Sequence, residues 1–158
     1  MSTHKPVERF TPGQERFGTS LIKRIGSLQT LVYELTGGRV WNTFRGGQVA
    51  ILTVIGRKSG QSRKTPLLYI EDGDRLVVIA SNAGDEKDPA WWLNLQAQPH
   101  ASVQVRRQRF DVVARRADPA ETERLWPRLV AAYSYLGRYR EKTQRDIPVI
   151  LLERSPVA

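Results

Sequence analysis

Val49-Ala50-Ile51-Leu52-Thr53-Val54-Ile55 runs without a break into Gly56-Arg57-Lys58-Ser59-Gly60. The first seven residues are almost wholly apolar and mostly β-branched, the pattern of a strand buried on both faces. The five that follow begin and end on glycine and read as a turn. Such a turn gathers backbone N–H groups, the Ser59 hydroxyl and the Arg57 and Lys58 charges into one small volume. Phosphates and carboxylates need that combination. Arg63 lies three residues beyond Gly60, within reach of the same anion as a bidentate fork. From position 39 to 64 the chain carries Arg39, Arg45, Arg57, Lys58, Arg63 and Lys64, with no Asp or Glu. A solvated basic turn is the plainer alternative.

Working outward, Pro66–Ile70, the Glu71-Asp72-Gly73-Asp74 turn and Arg75–Ala80 predict a hairpin. A second hairpin is expected from Ala101–Val105 and Phe110–Ala114, turning through Arg106-Arg107-Gln108, and Ile147–Leu152 is a closing strand with Pro148 near its start. Asp88-Pro89 predicts an N-cap and first turn for a helix through Ala90-Trp91-Trp92-Leu93-Asn94-Leu95. Asp118-Pro119-Ala120-Glu121 has the capping-box spacing and opens a helix through Leu125, Trp126, Leu129 and Val130. Upstream, Leu21, Ile25, Leu28, Leu31, Val32 and Leu35 share one face of a helix over Leu21–Leu35, stopped by Gly37-Gly38. The favoured reading packs that stripe on the domain. The alternative is a helix, with Lys23 and Arg24 beside the stripe, that touches a membrane or lines a substrate entrance.

This order of elements predicts an α+β fold built on an antiparallel sheet or barrel. The organisation is a polar arm (1–19), an amphipathic helix with its linker (20–45) and the strand-rich domain (46–158). The chain has 158 residues, no cysteine and two histidines, His4 and His100. That composition excludes disulfides, thiolate chemistry and Cys-type zinc sites, and argues against any metal centre or histidine-based triad. The formal charge of +9 suits an anionic partner. No G-x-G, Walker-type loop or G-x-S-x-G is present, so the common nucleotide and hydrolase signatures fail. The stretch 1–17 is polar and no apolar run reaches spanning length, so a cytoplasmic protein is expected.

Two further groups are candidates for a ligand. Trp91 and Trp92 point about 100° apart on a helix, so at most one lies squarely in the core and the other is free to cover a ligand, with Asn94 beside them. Packing by both tryptophans is the alternative. Tyr133, Tyr135 and Tyr139 offer phenols that stack on a flat ring, donate a proton or simply pack.

Leu52 through Gly60, then Arg63-Lys64-Thr65-Pro66-Leu67, then Asp88 through Leu95, and Asp146-Ile147-Pro148-Val149 together resemble the deazaflavin-dependent nitroreductase family, over roughly residues 20 to 153. The resemblance implies a split β-barrel of mainly antiparallel strands with short flanking helices and an N-terminal amphipathic helix. It also implies coenzyme F420, an 8-hydroxy-5-deazaflavin with a phosphate and a polyglutamate tail. The implied reaction is hydride transfer from the reduced ring to a quinone, an activated alkene or a nitro group. By matching positions, Arg57, Lys58, Ser59 and Arg63 hold the phosphate, and Lys64, Thr65, Pro66, Leu67 and Leu68 run along the cofactor. Ile79, Ala80, Ser81 and Asn82 lie beside the ring, while Ala90, Trp91, Trp92, Leu93 and Asn94 close the other side.

Leu136 stands where relatives place a tyrosine against the cofactor, Val54-Ile55 replaces two threonines, and Ser81-Asn82-Ala83-Gly84 replaces Ser-Lys-Gly-Gly. Ser81, Tyr133 and Tyr139 are then the candidates for steadying an oxyanion or delivering a proton. The partner is a small electrophilic substrate, and no nucleic acid is expected despite the arginines of the second hairpin. An FMN-binding split barrel and a non-catalytic F420 carrier are the alternative functions. The expected assembly is a monomer or homodimer, and peripheral contact with the inner membrane face through the N-terminal helix stays open.

Overall fold

The apolar run at 49–55 forms most of a nine-residue strand, β2 (Gly47–Ile55), in the computed structural model, which describes residues 28–40, 43–44 and 46–156. The arm at 1–19, the helix start with Leu21, Lys23, Arg24 and Ile25, and Arg45 lie outside those residues. Burial on both faces of β2 is borne out. Ala50, Leu52 and Val54 enter one core cluster, while Val49 and Ile51 on the opposite face are 4% and 1% exposed.

β2 is the hub of the sheet. It pairs antiparallel with β1 (Thr43–Phe44), β3 (Ser62–Leu68) and β6 (His100–Val105). The order continues through β7 (Gln108–Arg116), β8 (Val149–Arg154), β5 (Arg75–Ile79) and β4 (Ile70–Asp72), antiparallel throughout. A single residue, Tyr69, separates β3 from β4. β3 pairs with β2, while β4 pairs with β5 at the far end of the order. One bent segment thus ties the two ends of the sheet together and rolls it into a barrel. Pro66 sits inside β3, which pairs with β2 alone among the described strands, so the missing N–H costs no ladder bond on the other side.

The barrel interior is filled by Ala50, Leu52, Val54, Leu76, Val78, Val103, Val112, Ile150 and Leu152, with Trp91, Trp92 and Leu95 added from helix α2 (Ala90–Ala97). A second cluster lies outside the sheet, where Val77, Val149 and Leu151 meet Leu125 and Leu129 of α3 (Pro119–Ala132), then Tyr133 and Leu136. Leu136 opens the last helix, α4 (Leu136–Lys142). Side chains of β5 and β8 alternate between the two clusters, as the two-residue period of a strand requires. The expected α+β split barrel is therefore the observed fold.

The capping box of α3 forms as expected: Glu121 N–H donates to Asp118 Oδ1 at 2.8 Å, and Asp118 N–H donates to Glu121 Oε2 at 3.0 Å. Four local expectations need correction. First, the residue capping α2 is Pro89, with no side-chain cap bond, because the Asp88 carboxylate is taken by Arg145 at 2.9 Å. Second, the β6–β7 turn uses Arg106 and Arg107, with Val105 paired to Gln108. Arg106 takes φ +54° there and donates its N–H to the Tyr33 hydroxyl at 2.6 Å. Third, the strand ahead of the Gly73 turn starts earlier, at Ser62, and breaks at Tyr69.

Fourth, the N-terminal helix, α1 (28–36), does not pack its leucine stripe on the domain: Leu28, Leu31 and Leu35 are 54%, 51% and 77% exposed. Its buried side chains are Thr30 and Tyr33. Tyr33 pins the helix by donating its hydroxyl to the Val49 carbonyl at 3.0 Å while accepting from Arg106. A polar anchor one position off the stripe has turned the leucines outward.

Candidate functional site

The β2–β3 turn is closed by its own backbone: Gly56 N–H donates to Gln61 O and Gly60 N–H to Gly56 O, each at 2.8 Å. Gly60 takes φ +68°, a region where side chains are strained. A Cβ on Gly56 would stand 2.7 Å from Ser59 Oγ and 3.3 Å from the Gln61 carbonyl, so a larger residue there would have to displace the Ser59 side chain. Ser59 Oγ accepts from Gln61 N–H at 3.2 Å and from Arg63 Nη2 at 3.4 Å. Arg57 is held differently, its backbone N–H and its Nη1 both donating to Asn94 Oδ1, at 3.1 and 3.0 Å. Asn94 is buried on α2, so this fork locks the turn against the helix that carries the tryptophans. Lys58 is exposed and makes no hydrogen bond or ion pair among the described residues.

These groups line a cleft of about 830 Å³, together with Ser62, Lys64, Thr65, Pro66, Ala90 and Trp91. Helix α1 contributes Thr30, Leu31 and Glu34 to its wall. Glu34 supplies the acid that the local sequence from 39 to 64 lacks. Lys64 Nζ binds its two oxygens at 2.7 and 2.8 Å, and Arg109 Nη2 reaches Oε1 at 3.2 Å. Nothing in the spacing of the basic run pointed to Glu34, which arrives from another element.

A second cleft, of about 240 Å³, shares Pro66 with the first. It is lined by Leu67 and Leu68 of β3, Ile79, Ser81, Ala83, Leu129, Tyr133, Tyr135, Leu136 and Tyr139. Tyr133 is 5% exposed and donates its hydroxyl to the Tyr69 carbonyl at 2.6 Å. Burial pushes this phenol above its ordinary range, and pushes the Tyr69 phenol to about 12. The Tyr135 ring lies between its neighbours, 6.1 Å from Tyr133 and 5.3 Å edge-on to Tyr139. Ser81 and Tyr139 are half-buried, and their hydroxyls make no hydrogen bond among the described residues. They are the two polar groups free to meet a guest in this cleft.

Ser81 sits on a loop gripped by Arg145. Its Nη2 donates to the Ala80 and Ser81 carbonyls, both at 3.0 Å, and its Nε to the Asp85 carbonyl at 2.7 Å. The loop then passes through Asn82 and Ala83 at φ +45° and +55°, a conformation glycine would hold without strain.

The candidates named from sequence therefore divide. Arg57, Lys58, Ser59, Arg63, Lys64, Thr65, Ala90, Trp91 and Asn94 line the larger cleft, Leu67, Leu68, Ile79, Ser81, Tyr133, Leu136 and Tyr139 the smaller, and Pro66 both. Ala80, Asn82, Trp92 and Leu93 line neither. Ala80 and Trp92 fill the barrel core, and Asn82 donates its amide to the Lys87 carbonyl at 3.0 Å. The geometric expectation that at most one of the two tryptophans enters the core is corrected in favour of the alternative that both pack, since each is 6% exposed. The barrel end is wide enough to take both, with Trp91 also forming cleft wall.

Residues 26–154 match the F420H(2)-dependent quinone reductase family. The chain belongs to that family. An F420H(2)-dependent quinone reductase of Mycobacterium tuberculosis is 35% identical over 133 residues, covering 80% of this chain and 88% of the relative. Among solved structures, an F420-H2 dependent reductase superposes with a TM-score of 0.62 at 36% identity, covering 69% of this chain and 95% of that one. A further solved relative, a domain-swapped dimer, gives 0.65 at 33% identity and covers 89% of this chain and 99% of its own.

As a member of the F420H(2)-dependent quinone reductase family, the chain is an oxidoreductase that works with coenzyme F420. The larger cleft fits that cofactor by its donor set: among the described residues Lys58 makes no hydrogen bond or ion pair and Arg63 has a hydroxyl partner alone, so both cations can take an anion.

Proposed function

We propose that this family member reduces a quinone, with hydride from reduced F420, in preference to activated alkenes or nitro compounds. The observation that carries the reading is that a cation-lined cleft and one walled by aromatic and aliphatic side chains meet at a shared residue, Pro66. A cofactor with an anionic arm and a flat ring matches such a two-part trough. The quinone reductase from Mycobacterium tuberculosis supports the choice of acceptor.

When bound, the deazaflavin ring supplies the hydride. Lys58, Ser59 and Arg63, with Arg57 locked by Asn94, would hold the phosphate, and Lys64 to Leu68 would flank the cofactor. Leu68, Ile79 and Leu136 would exclude water from the ring, and Ser81 and Tyr139 would donate toward oxygen on the acceptor. Tyr133 presents its ring and spends its hydroxyl donor on the Tyr69 carbonyl, which makes it wall rather than acid. Holding donor and acceptor at near-attack distance is the larger part of what the protein adds.

The test is single-turnover oxidation of reduced F420 by a quinone, an enone and a nitroarene under saturating cofactor. The fastest decay is expected with the quinone. Equal or faster decay with the other acceptors rejects the assignment of substrate class.

The relative solved as a domain-swapped dimer supports a homodimer here, checked by light scattering on the purified protein. The exposed Leu28, Leu31 and Leu35 stripe supports a peripheral membrane contact as well, checked by flotation with anionic vesicles.

A further inference from the structure

Arg145 lines neither cleft, yet its whole fork is spent on the loop that carries Ser81. Nη2 takes the Ala80 and Ser81 carbonyls, Nε takes the Asp85 carbonyl, and Nη1 donates to Asp88 Oδ1 at 2.9 Å. The side chain is 14% exposed, so these bonds form largely out of water, where each is stronger than at an open surface. The residues just before it hold the same loop. Thr143 Oγ1 donates to Glu86 Oε1 at 2.9 Å, and Gln144 N–H donates to that oxygen at 3.4 Å. Upstream, the sheet fixes the chain as far as the Ala80 N–H, which donates to the Pro148 carbonyl at 3.0 Å. The two peptide carbonyls that follow answer to Arg145. Beyond them Asn82 and Ala83 both lie in the left-handed region, and consecutive non-glycine residues persist there where the surroundings over-determine them.

We infer that Arg145 is a positioning residue for the reduction: it sets the direction of the Ser81 hydroxyl in the smaller cleft and acts on the acceptor only through it. The inference rests on the reading of Ser81 given above. Arginine suits the task because its planar fork offers donors at three nitrogens, which reach three carbonyls and a carboxylate at once. A lysine is a single point charge and keeps the Asp88 pair at the expense of the carbonyls. Freed of the fork, the loop loses what opposes its strain, and Ser81 turns with it.

A double-mutant cycle on the full chain tests this, reading single-turnover oxidation of reduced F420 by a saturating quinone. Dissociation constants for F420 and melting temperatures are taken on the same samples. Ser81→Ala is expected to slow the reaction about a hundred-fold. Arg145→Lys is expected to slow it about ten-fold in the wild-type background and by less than about two-fold in Ser81→Ala, with F420 affinity kept. Asp88→Asn releases one donor of the fork and leaves the three carbonyls in place. It is read by the same cycle, with a smaller slowing and the same loss of effect in Ser81→Ala, and it serves alone if Arg145→Lys does not fold. Equal slowing in both backgrounds makes the fork a structural clip and overturns the inference, as does no slowing in either. A wild-type rate in Ser81→Ala overturns it too, while the cofactor reading stands. Failure of the wild type to oxidise reduced F420 with any acceptor removes the cofactor reading itself, and the inference with it.

Discussion

The two clefts are built in opposite ways. In the larger one the groups that matter stand on a local turn and are held loosely: Lys58 has no partner among the described residues, and Arg63 has a hydroxyl alone at 3.4 Å. In the smaller one, apart from the Ser81 and Tyr139 hydroxyls, the wall is committed before any guest arrives, Tyr133 to the Tyr69 carbonyl and Leu136 to the outer core. The first is poised for charge, with its desolvation cost left to be offset on binding. The second is pre-organised wall, whose integrity is part of the stability of the fold. Substitutions in the larger cleft are therefore expected to change binding, and substitutions in the smaller to change folding.

The largest effect is expected at Gly47, where a Cβ would stand 1.9 Å from Tyr133 Cε1. Gly47→Ala has to displace the ring and is expected to cost about 3 kcal/mol in chemical denaturation. A near-neutral result breaks the view of the smaller cleft as rigid wall.

Next is the clasp that holds α3 over that cleft. Asp72 takes Arg124 at 2.9 Å and Arg128 at 2.8 Å from α3, and Arg75 at 2.9 Å from β5. Those guanidinium groups, Arg124 first, hold the Asp72 carboxyl well below the usual range. Asp72→Asn is expected to destabilise by roughly 2 kcal/mol at neutral pH. Because the folded-state value is depressed, the carboxylate's contribution is present above its ordinary 3.8 and is lost as pH falls below it. Melting curves in acid should converge for wild type and variant. Glu121, lowered to about 2 by Arg115, has the same sign of dependence.

Tyr133→Phe removes one buried hydrogen bond and leaves the Tyr69 carbonyl short of a donor, an expected loss of about 1 kcal/mol. F420 affinity should stay within two-fold, and a proton-transfer role for Tyr133 would appear as a collapse of kcat. The smallest effect is at Ala83, where glycine at φ +55° relieves strain and is expected to stabilise by roughly 0.5 kcal/mol.

The same contrast explains what could be read from the sequence. The β2 strand and its turn were legible because composition, glycine punctuation and charge coincide within residues 49–60. The capping box at Asp118 and Glu121 was legible for the same local reason. Of the smaller cleft the sequence marked the cluster of Tyr133, Tyr135 and Tyr139, while Leu67, Leu68, Ile79 and Ser81 were legible only by resemblance, since the wall joins residues as distant as Tyr69 and Tyr133. Glu34 lies 30 residues before Lys64 and 75 before Arg109, and no pattern within α1 marks it as a cleft residue. The leucine stripe misled, because periodicity identifies a face but not its partner, and Tyr33 decided that α1 docks by another one.

The most direct measurement is a paired titration of F420 against Lys58→Ala and Tyr133→Phe, with melting temperatures on the same samples. The account predicts that Lys58→Ala weakens binding by about thirty-fold and leaves the melting temperature in place. It predicts the reverse for Tyr133→Phe, an unchanged affinity with a lowered melting temperature. Wild-type affinity in Lys58→Ala would contradict the assignment of the Gly56–Gly60 turn as the anion site.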